Sequence, residues 1–396
     1  MASDQEDIAK LMESHQDSVA KLRDSLGGSG EAGGYDDVWL LRFVLSHKDD
    51  LEAARKAAAN AIAWREKNAK LLQCAKDETD AADYFKHIRE YVASDFHDKD
   101  SKFGEPLFIV RSGISNPAEV MKKVTVQEMI DYLMYRREMM FIRADRRTRE
   151  TGKLVKVISL NDFNHLSLFG FQDRKFMSAL TQSSNLAEDM YPQLVGRACM
   201  INMPTLFTSL FSLMKTFLSK RTTDKIAMCP GHTLTGDIRK CPFVAARFNI
   251  EDVPTFLGGK CKCPRGCVAK VPNDQTHKIG AHGEDGSAEQ VVGARDKHTE
   301  VLAVQKGDVV LYQLETVEHG IEFSVNLQLD NGEEKQLVQV VKVKQEKYEG
   351  SFNIDDSGTL TFLFDNSYSL LNSKTVKYSL NVMEGGMMGS LNENEK

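Results

Sequence analysis

The apolar residues of this chain change their period once, and the change sets its organisation. Up to about residue 268 they recur at helical spacing or gather in short continuous runs; from residue 300 onward they alternate with polar ones. Ile321, Phe323, Val325, Leu327 and Leu329 interleave with Glu322, Ser324, Asn326 and Gln328 before a turn at Asn331-Gly332. Leu360, Phe362 and Phe364 repeat the pattern, and so do Val376, Tyr378, Leu380 and Val382. A sustained period of two leaves one face of each strand wet, which predicts an antiparallel β-sandwich. Residues 270–290 are polar, with Pro272, Gly280, Gly283 and Gly286, and read as a linker. A chain of 396 residues exceeds what one core usually supports, so two or three domains are expected.

Before the linker the pattern is mixed. Ile8, Leu11, Val19, Leu22 and Leu26 predict an amphipathic helix that ends in Gly27-Gly28-Ser29-Gly30. Residues 28–33 match G-x-G-x-x-G, but a dinucleotide fingerprint follows a strand and opens a helix, whereas this stretch follows a helix and reads as a flexible linker. Leu107–Val110, Leu154–Leu160, Arg197–Asn202 and Lys225–Cys229 are short and mostly apolar, as buried parallel strands are. Between the first two a helix is predicted to start near Thr125, where Thr125 and Glu128 make a capping box and Met129, Ile130, Leu133, Met134, Met140 and Phe141 form the apolar side. Strands alternating with helices predict an α/β domain. Methionines are frequent here, at Met121, Met139, Met177, Met190, Met200, Met203 and Met228 among others, and serve equally as lining for an irregular cavity or as core filler.

At Pro204 a short strand turns into a helix too apolar for one ordinary core face. Its apolar positions pair as Leu206/Phe207, Leu210/Phe211, Leu213/Met214 and Phe217/Leu218, with Lys215, Lys220 and Arg221 at or near its end. The stripe fits a plain core helix, or a movable cover whose second apolar side faces lipid.

A formal net charge of −6 speaks against a general nucleic-acid binder. The N-terminus is acidic where a signal peptide is basic, and no run of about 18 apolar residues occurs; the protein is expected to be soluble and cytoplasmic. Seven cysteines, an odd number and thinly spread, fit reduced thiols better than a disulfide framework. Cys261, Cys263 and Cys267 cluster, with His277 and His282 downstream, but the single residue between Cys261 and Cys263 makes a poor tetrahedral bite, and no metal is expected. No nucleophile elbow, P-loop or HExxH occurs. His165, His232 and His319 stand isolated, and Asp162, Asp173 and Glu188 read as solvated. The chain is expected to bind rather than catalyse, with no catalytic residues and no cofactor other than a bound lipid.

Tyr191-Pro192, the strand to Asn202, Pro204, the Phe-rich helix, the basic turn Lys220-Arg221 and the closing Phe256-Leu257-Gly258-Gly259 together resemble the lipid-binding domain of the CRAL-TRIO (Sec14-like) family. Residues 40–68, with Leu41, Arg42, Phe43 and Trp64-Arg65, resemble that family's N-terminal helical lobe. Residues 358–382, above all Phe364-Asp365-Asn366-Ser367-Tyr368-Ser369, resemble the GOLD domain that follows the lipid domain in mammalian Sec14-like proteins and plant patellins. The resemblance implies a gated apolar pocket. Leu206, Phe207, Leu210, Phe211, Met214, Phe217 and Leu218 would form its gate, and Lys215, Lys220 and Arg221 would meet anionic head groups. In phosphatidylinositol-binding members a Glu follows Tyr-Pro and a Lys follows the gate; here those positions hold Gln193 and Lys225, so the ionic pair is missing. The Leu154–Leu160 strand, where relatives place hydroxyls for phosphatidylcholine, offers Lys156 and Ser159, and Ser159 is taken into the expected head-group set.

The domains expected are a helical lobe (1–95), a CRAL-TRIO lipid-binding domain (96–268), a linker (269–290), a GOLD-like β-sandwich (291–384) and a tail (385–396). The function expected is non-enzymatic binding and intermembrane transfer or presentation of a phospholipid, such as phosphatidylinositol, or another lipophile. It would act at a transient membrane surface, with a protein partner through the GOLD domain. The alternative is a lipid-sensing trafficking adaptor.

Overall fold

The computed structural model describes residues 5–27, 35–48, 50–163, 173–203, 223–229, 241–263, 267, 288–317, 319–344 and 348–383. The expected gate helix, with Leu206, Phe207, Leu210, Phe211, Met214, Lys215, Phe217, Leu218, Lys220 and Arg221, lies outside these residues, as do His277 and His282. The chain divides into two units, one built on the residues before the linker and one on those after it.

Side-chain caps fix where the first helices begin. Asp7 accepts from the Ala9 and Lys10 amides ahead of α1 (Ile8–Ser25), Asp36 from Trp39 ahead of α2 (Asp37–Ser46), and Asp50 from Ala53 ahead of α3 (Leu51–Lys67). Helices α4 (Ala69–Lys76), α5 (Tyr84–Tyr91) and α6 (Pro117–Val120) are short. The capping box read from the sequence opens α7 (Val126–Thr151): Thr125 Oγ1 accepts from the Glu128 amide and the Glu128 carboxylate from the Thr125 amide. Gly152, at φ 67°, closes it in the left-handed conformation.

Five strands form the first sheet in the order β1 (Ser94–Phe96), β2 (Leu107–Val110), β3 (Val157–Asp162), β4 (Val195–Ile201) and β5 (Ile226–Met228). β1 pairs antiparallel with β2 and the other neighbours are parallel, with α7 crossing from β2 to β3 and α8 (Arg174–Met190) from β3 to β4. β3 starts three residues later than the apolar run predicts. The Leu154 amide donates to the Glu6 carbonyl at 2.8 Å and the Val155 amide to Thr148 Oγ1 at 3.0 Å, so both are taken before the ladder begins. β4 ends at Ile201 because Asn202 turns at φ 56°.

One face of this sheet is closed. Leu107, Ile109, Ile158, Leu160, Cys199 and Ile201 pack with Val244 and Phe248, from α9 (Pro242–Arg247) and its end, and with Val253 and Leu257 of the 3-10 turns behind it. Cys229 and Cys241 in this core form a disulfide with Cα atoms 5.3 Å apart, and Cys199 Sγ lies 3.6 Å from Cys229 Sγ. Reduced thiols were the sequence expectation here. The pair lies twelve positions apart along the chain, and the return of α9 onto the sheet brings the two together.

The second unit consists of two four-stranded antiparallel sheets. β10 (Glu334–Val343), β9 (Ile321–Leu329), β12 (Gly358–Asp365) and β7 (Lys297–Val304) form one in that order; β11 (Tyr348–Asn353), β8 (Val309–Thr316), β13 (Lys374–Met383) and β6 (Ala288–Val292) form the other. Ile321, Phe323, Val325, Leu360, Phe362, Phe364 and Val376 are fully buried, as the alternation predicts. In the Phe364–Ser369 stretch the fully buried Asn366 donates from Nδ2 to the carbonyls of Val292, Gly293 and Asn372, tying three chain segments at one point.

Candidate functional site

The two faces of the first sheet differ in a way that singles out a site. In register, Phe108, Ser159, Ala198 and Ile226 form one row across β2 to β5, and Val110, Asn161, Met200 and Met228 the next row on the same face. Phe108 is buried with Phe96 and Val157 in the core that includes α7 and α8 residues. Toward β5, Ser159, Asn161, Ala198, Met200, Ile226 and Met228 are all half-buried. On the opposite face Ile158, Leu160, Cys199 and Ile201 are at most 2% exposed. Side chains alternate along a strand, so one face is filled core and the other a partly open apolar floor.

Two polar groups mark that floor. Asn161 Nδ2 donates to Ser159 Oγ at 3.2 Å, leaving the Ser159 hydroxyl hydrogen for a further acceptor. The rest of the floor is methionine, isoleucine and alanine, which supply apolar contact and no titrating group. Burial also pushes the Cys199 thiol, on the closed face, up to about 12, so it stays protonated.

The other two head-group residues of the sequence reading lie at the N-terminal edge of neighbouring parallel strands. Lys225 stands in the turn before β5, and its carbonyl accepts from the Ala198 amide at 2.9 Å. It is one row below Ser159, so strand alternation does not direct the two side chains to one face. Gln193 sits at φ 59° in the turn after Tyr191-Pro192, two residues before β4, and its amide donates to Ser46 Oγ of α2 at 3.0 Å. The register thus offsets Gln193 from Lys225 by about four residue steps, roughly 13 Å of strand. The fold joins Ser159 to Asn161, Ala198, Met200, Ile226 and Met228, none of which the sequence reading named as site residues; Met200 and Met228 carried a signal only as members of a methionine-rich region.

Charge pairs link the helical lobe to α7. Arg65 of α3 makes two bonds to the Glu138 carboxylate, at 2.8 and 2.7 Å, and Arg42 of α2, fully buried, bonds Asp145 and Thr148 at 3.3 Å each. Burial works against the Arg65 charge, and the Glu138 carboxylate more than offsets it, holding the guanidinium above its usual range. Both guanidiniums stand over Phe141, at 5.4 and 5.8 Å from the ring centre, and the Tyr191 ring packs against Phe141 and Trp64. Arg42, Trp64-Arg65 and Tyr191, from separate sequence blocks, therefore meet on one helix.

The closing Gly258-Gly259 has a backbone reason. Gly258 sits at φ 80°, and a Cβ on Gly259 would lie 2.0 Å from the Val253 carbonyl oxygen.

Residues 91–259 match the CRAL/TRIO domain family. The Sec14 cytosolic factor of Schizosaccharomyces pombe is 25% identical over 262 residues, covering 65% of this chain and 86% of that protein. The SEC14 cytosolic factor of Eremothecium gossypii is 28% identical over 255 residues, covering 63% and 78%. The phosphatidylinositol/phosphatidylcholine transfer protein SFH9 of Arabidopsis thaliana is 25% identical over 240 residues, covering 58% and 38%. Among the described residues, no helix is long and apolar enough to cross a membrane. Over residues 91–259 the chain is thus similar to the CRAL/TRIO domain, and over a longer stretch to the Sec14 cytosolic factors.

Proposed function

We propose that this protein binds a phospholipid of the phosphatidylinositol or phosphatidylcholine type and transfers it between membranes without chemical change. The carrying observation is the half-open apolar floor of Ser159, Asn161, Ala198, Met200, Ile226 and Met228 inside the region that matches the CRAL/TRIO domain. Each buried CH₂ is worth about 0.8 kcal/mol, so an acyl chain of about sixteen carbons costs about 13 kcal/mol to leave a bilayer for water unless a cavity takes over the contacts. A floor of flexible thioethers can make such contacts with irregular chains.

The Phe-rich segment 205–218 is the gate of this proposal, shielding the chains in solution and opening at a membrane. Phe207, Phe211 and Phe217 enter lipid, while Lys215, Lys220 and Arg221 meet anionic head groups. Ser159 and Asn161 supply hydrogen bonds, and Lys225 supplies a cation at the edge of the sheet. The chain works from the cytoplasm as a transient peripheral membrane protein, and the β-sandwich serves as a GOLD-like module for a protein partner.

Protein purified without detergent is expected to release about one phospholipid per chain on organic extraction, and to move labelled phosphatidylinositol or phosphatidylcholine between vesicles. No stoichiometric lipid in repeated extractions, together with no transfer of either lipid, overturns the proposal.

A further inference from the structure

The cysteines just after the CRAL/TRIO match gain a partner that the sequence does not place near them. His97 follows β1 and is held there by its amide, which donates to the Leu107 carbonyl at 2.9 Å; the residue is 3% exposed. Its Nε2 lies 2.6 Å from the carbonyl oxygen of Asp252. A carbonyl only accepts, so Nε2 carries the proton and Nδ1 is left with its lone pair. Nδ1 is buried with no hydrogen-bond partner. A ring nitrogen of His97 and the Sγ atoms of Cys261 and Cys263 lie within 4.8 Å of one another. Cys261 and Cys263 Sγ are 3.1 Å apart, and the Cys267 thiol donates to the Cys261 carbonyl at 3.2 Å, which places a third cysteine beside the trio.

We propose that His97, Cys261, Cys263 and Cys267 bind one zinc ion in a closed, structural Cys₃His site. Sulfurs at Zn–S bonds of about 2.3 Å in a tetrahedron stand about 3.8 Å apart, so Cys261 and Cys263, at 3.1 Å, need to separate by roughly 0.7 Å. The one-residue spacing of Cys261 and Cys263 is by itself a poor tetrahedral bite. Cys263 and Cys267 are separated by three residues, Pro264, Arg265 and Gly266, which is an ordinary zinc spacing. The bond from Nε2 to a backbone carbonyl is the outer-shell contact that orients a metal-bound histidine and fixes its tautomer.

Four protein ligands leave no open position, so the ion would not catalyse. Its work would be mechanical. The Cys261 amide already donates to the Val253 carbonyl at 2.9 Å, and that of Lys260 to the Ile250 carbonyl at 3.0 Å. Zinc would fasten this returning segment to the loop after β1, locking the end of the CRAL/TRIO domain onto its first strands. The site is independent of any lipid.

The full chain, purified without an affinity metal or chelator and kept reduced, is expected to contain about one zinc per chain by elemental analysis. Cys263→Ser with Cys267→Ser, both half-buried, should lower the zinc content about tenfold or more at unchanged circular dichroism, while Cys74→Ser leaves it unaltered. Cobalt substituted into the wild-type site should give the intense visible bands of a tetrahedral thiolate centre, and His97→Ala should shift or abolish them. Wild-type protein that takes up no zinc from zinc sulfate, or equal zinc in the double variant, overturns the proposal. So does a peptide map of protein purified under reducing conditions that shows a disulfide among Cys261, Cys263 and Cys267, in place of the metal.

Discussion

Replacing Glu138 by Ala removes both acceptors of the Arg65 guanidinium and leaves that cation, whose side chain is only 13% exposed, without its counter-charge. Breaking one partner of a buried pair typically costs about 3–5 kcal/mol, so Glu138→Ala should lower the urea midpoint of the first unit by that equivalent, whereas exchanging the exposed pair of Arg55 and Glu52 should change little. The two closing glycines predict a graded result. Gly258→Ala meets only the left-handed conformation, a cost of about 1–2 kcal/mol. Gly259→Ala must instead push a methyl to 2.0 Å from the Val253 carbonyl oxygen, so it should destabilise more, as thermal unfolding of the two variants will reveal. The sequence marks Arg42, Trp64, Arg65, Tyr191, Gly258 and Gly259 as a set only through the family resemblance. Their physical reasons, a shared α7 surface and a carbonyl at Val253, appear only when distant segments are folded together.

At the scale of elements, the floor of the first sheet makes the sharpest test. Ala198 stands between Ser159 and Ile226 in register and is half-buried, so Ala198→Trp fills space that a bound acyl chain needs while leaving the ladder intact. Phospholipid recovered per chain should fall several-fold with circular dichroism unchanged; full lipid content in this variant would place the ligand elsewhere. α7 offers a control on stability alone. Thr125→Ala removes one side of its capping box and should cost about 1 kcal/mol without altering lipid content, measured by denaturant unfolding and extraction on the same sample. The start of α7 was readable because a capping box spans four residues. The start of β3 was not, because it depends on Glu6 and Thr148 taking the amides of Leu154 and Val155.

At the scale of the molecule, the two units have separate cores, one around α7 and the first sheet and one between the two antiparallel sheets. A chain ending near residue 268 is therefore expected to stay folded and keep its phospholipid, and the full chain to unfold in two calorimetric transitions of which only one shifts with lipid. An insoluble or empty truncated protein would mean that the β-sandwich supports the lipid unit. The sequence by itself determined the division into an α/β unit and an antiparallel β unit, the inward residues of β9 and β12, and the cap of α7. Each rests on a period or spacing of a few residues, fixed by the geometry of one helix or strand. Only the tertiary structure decided which sheet face is filled and which half-open, that Gln193 bonds α2 four steps away from Lys225, that Cys229 meets Cys241, and that a ring nitrogen of His97 comes within 4.8 Å of the Cys261 and Cys263 sulfurs. Register between strands and the return of one segment onto another set these contacts, and no local pattern encodes them.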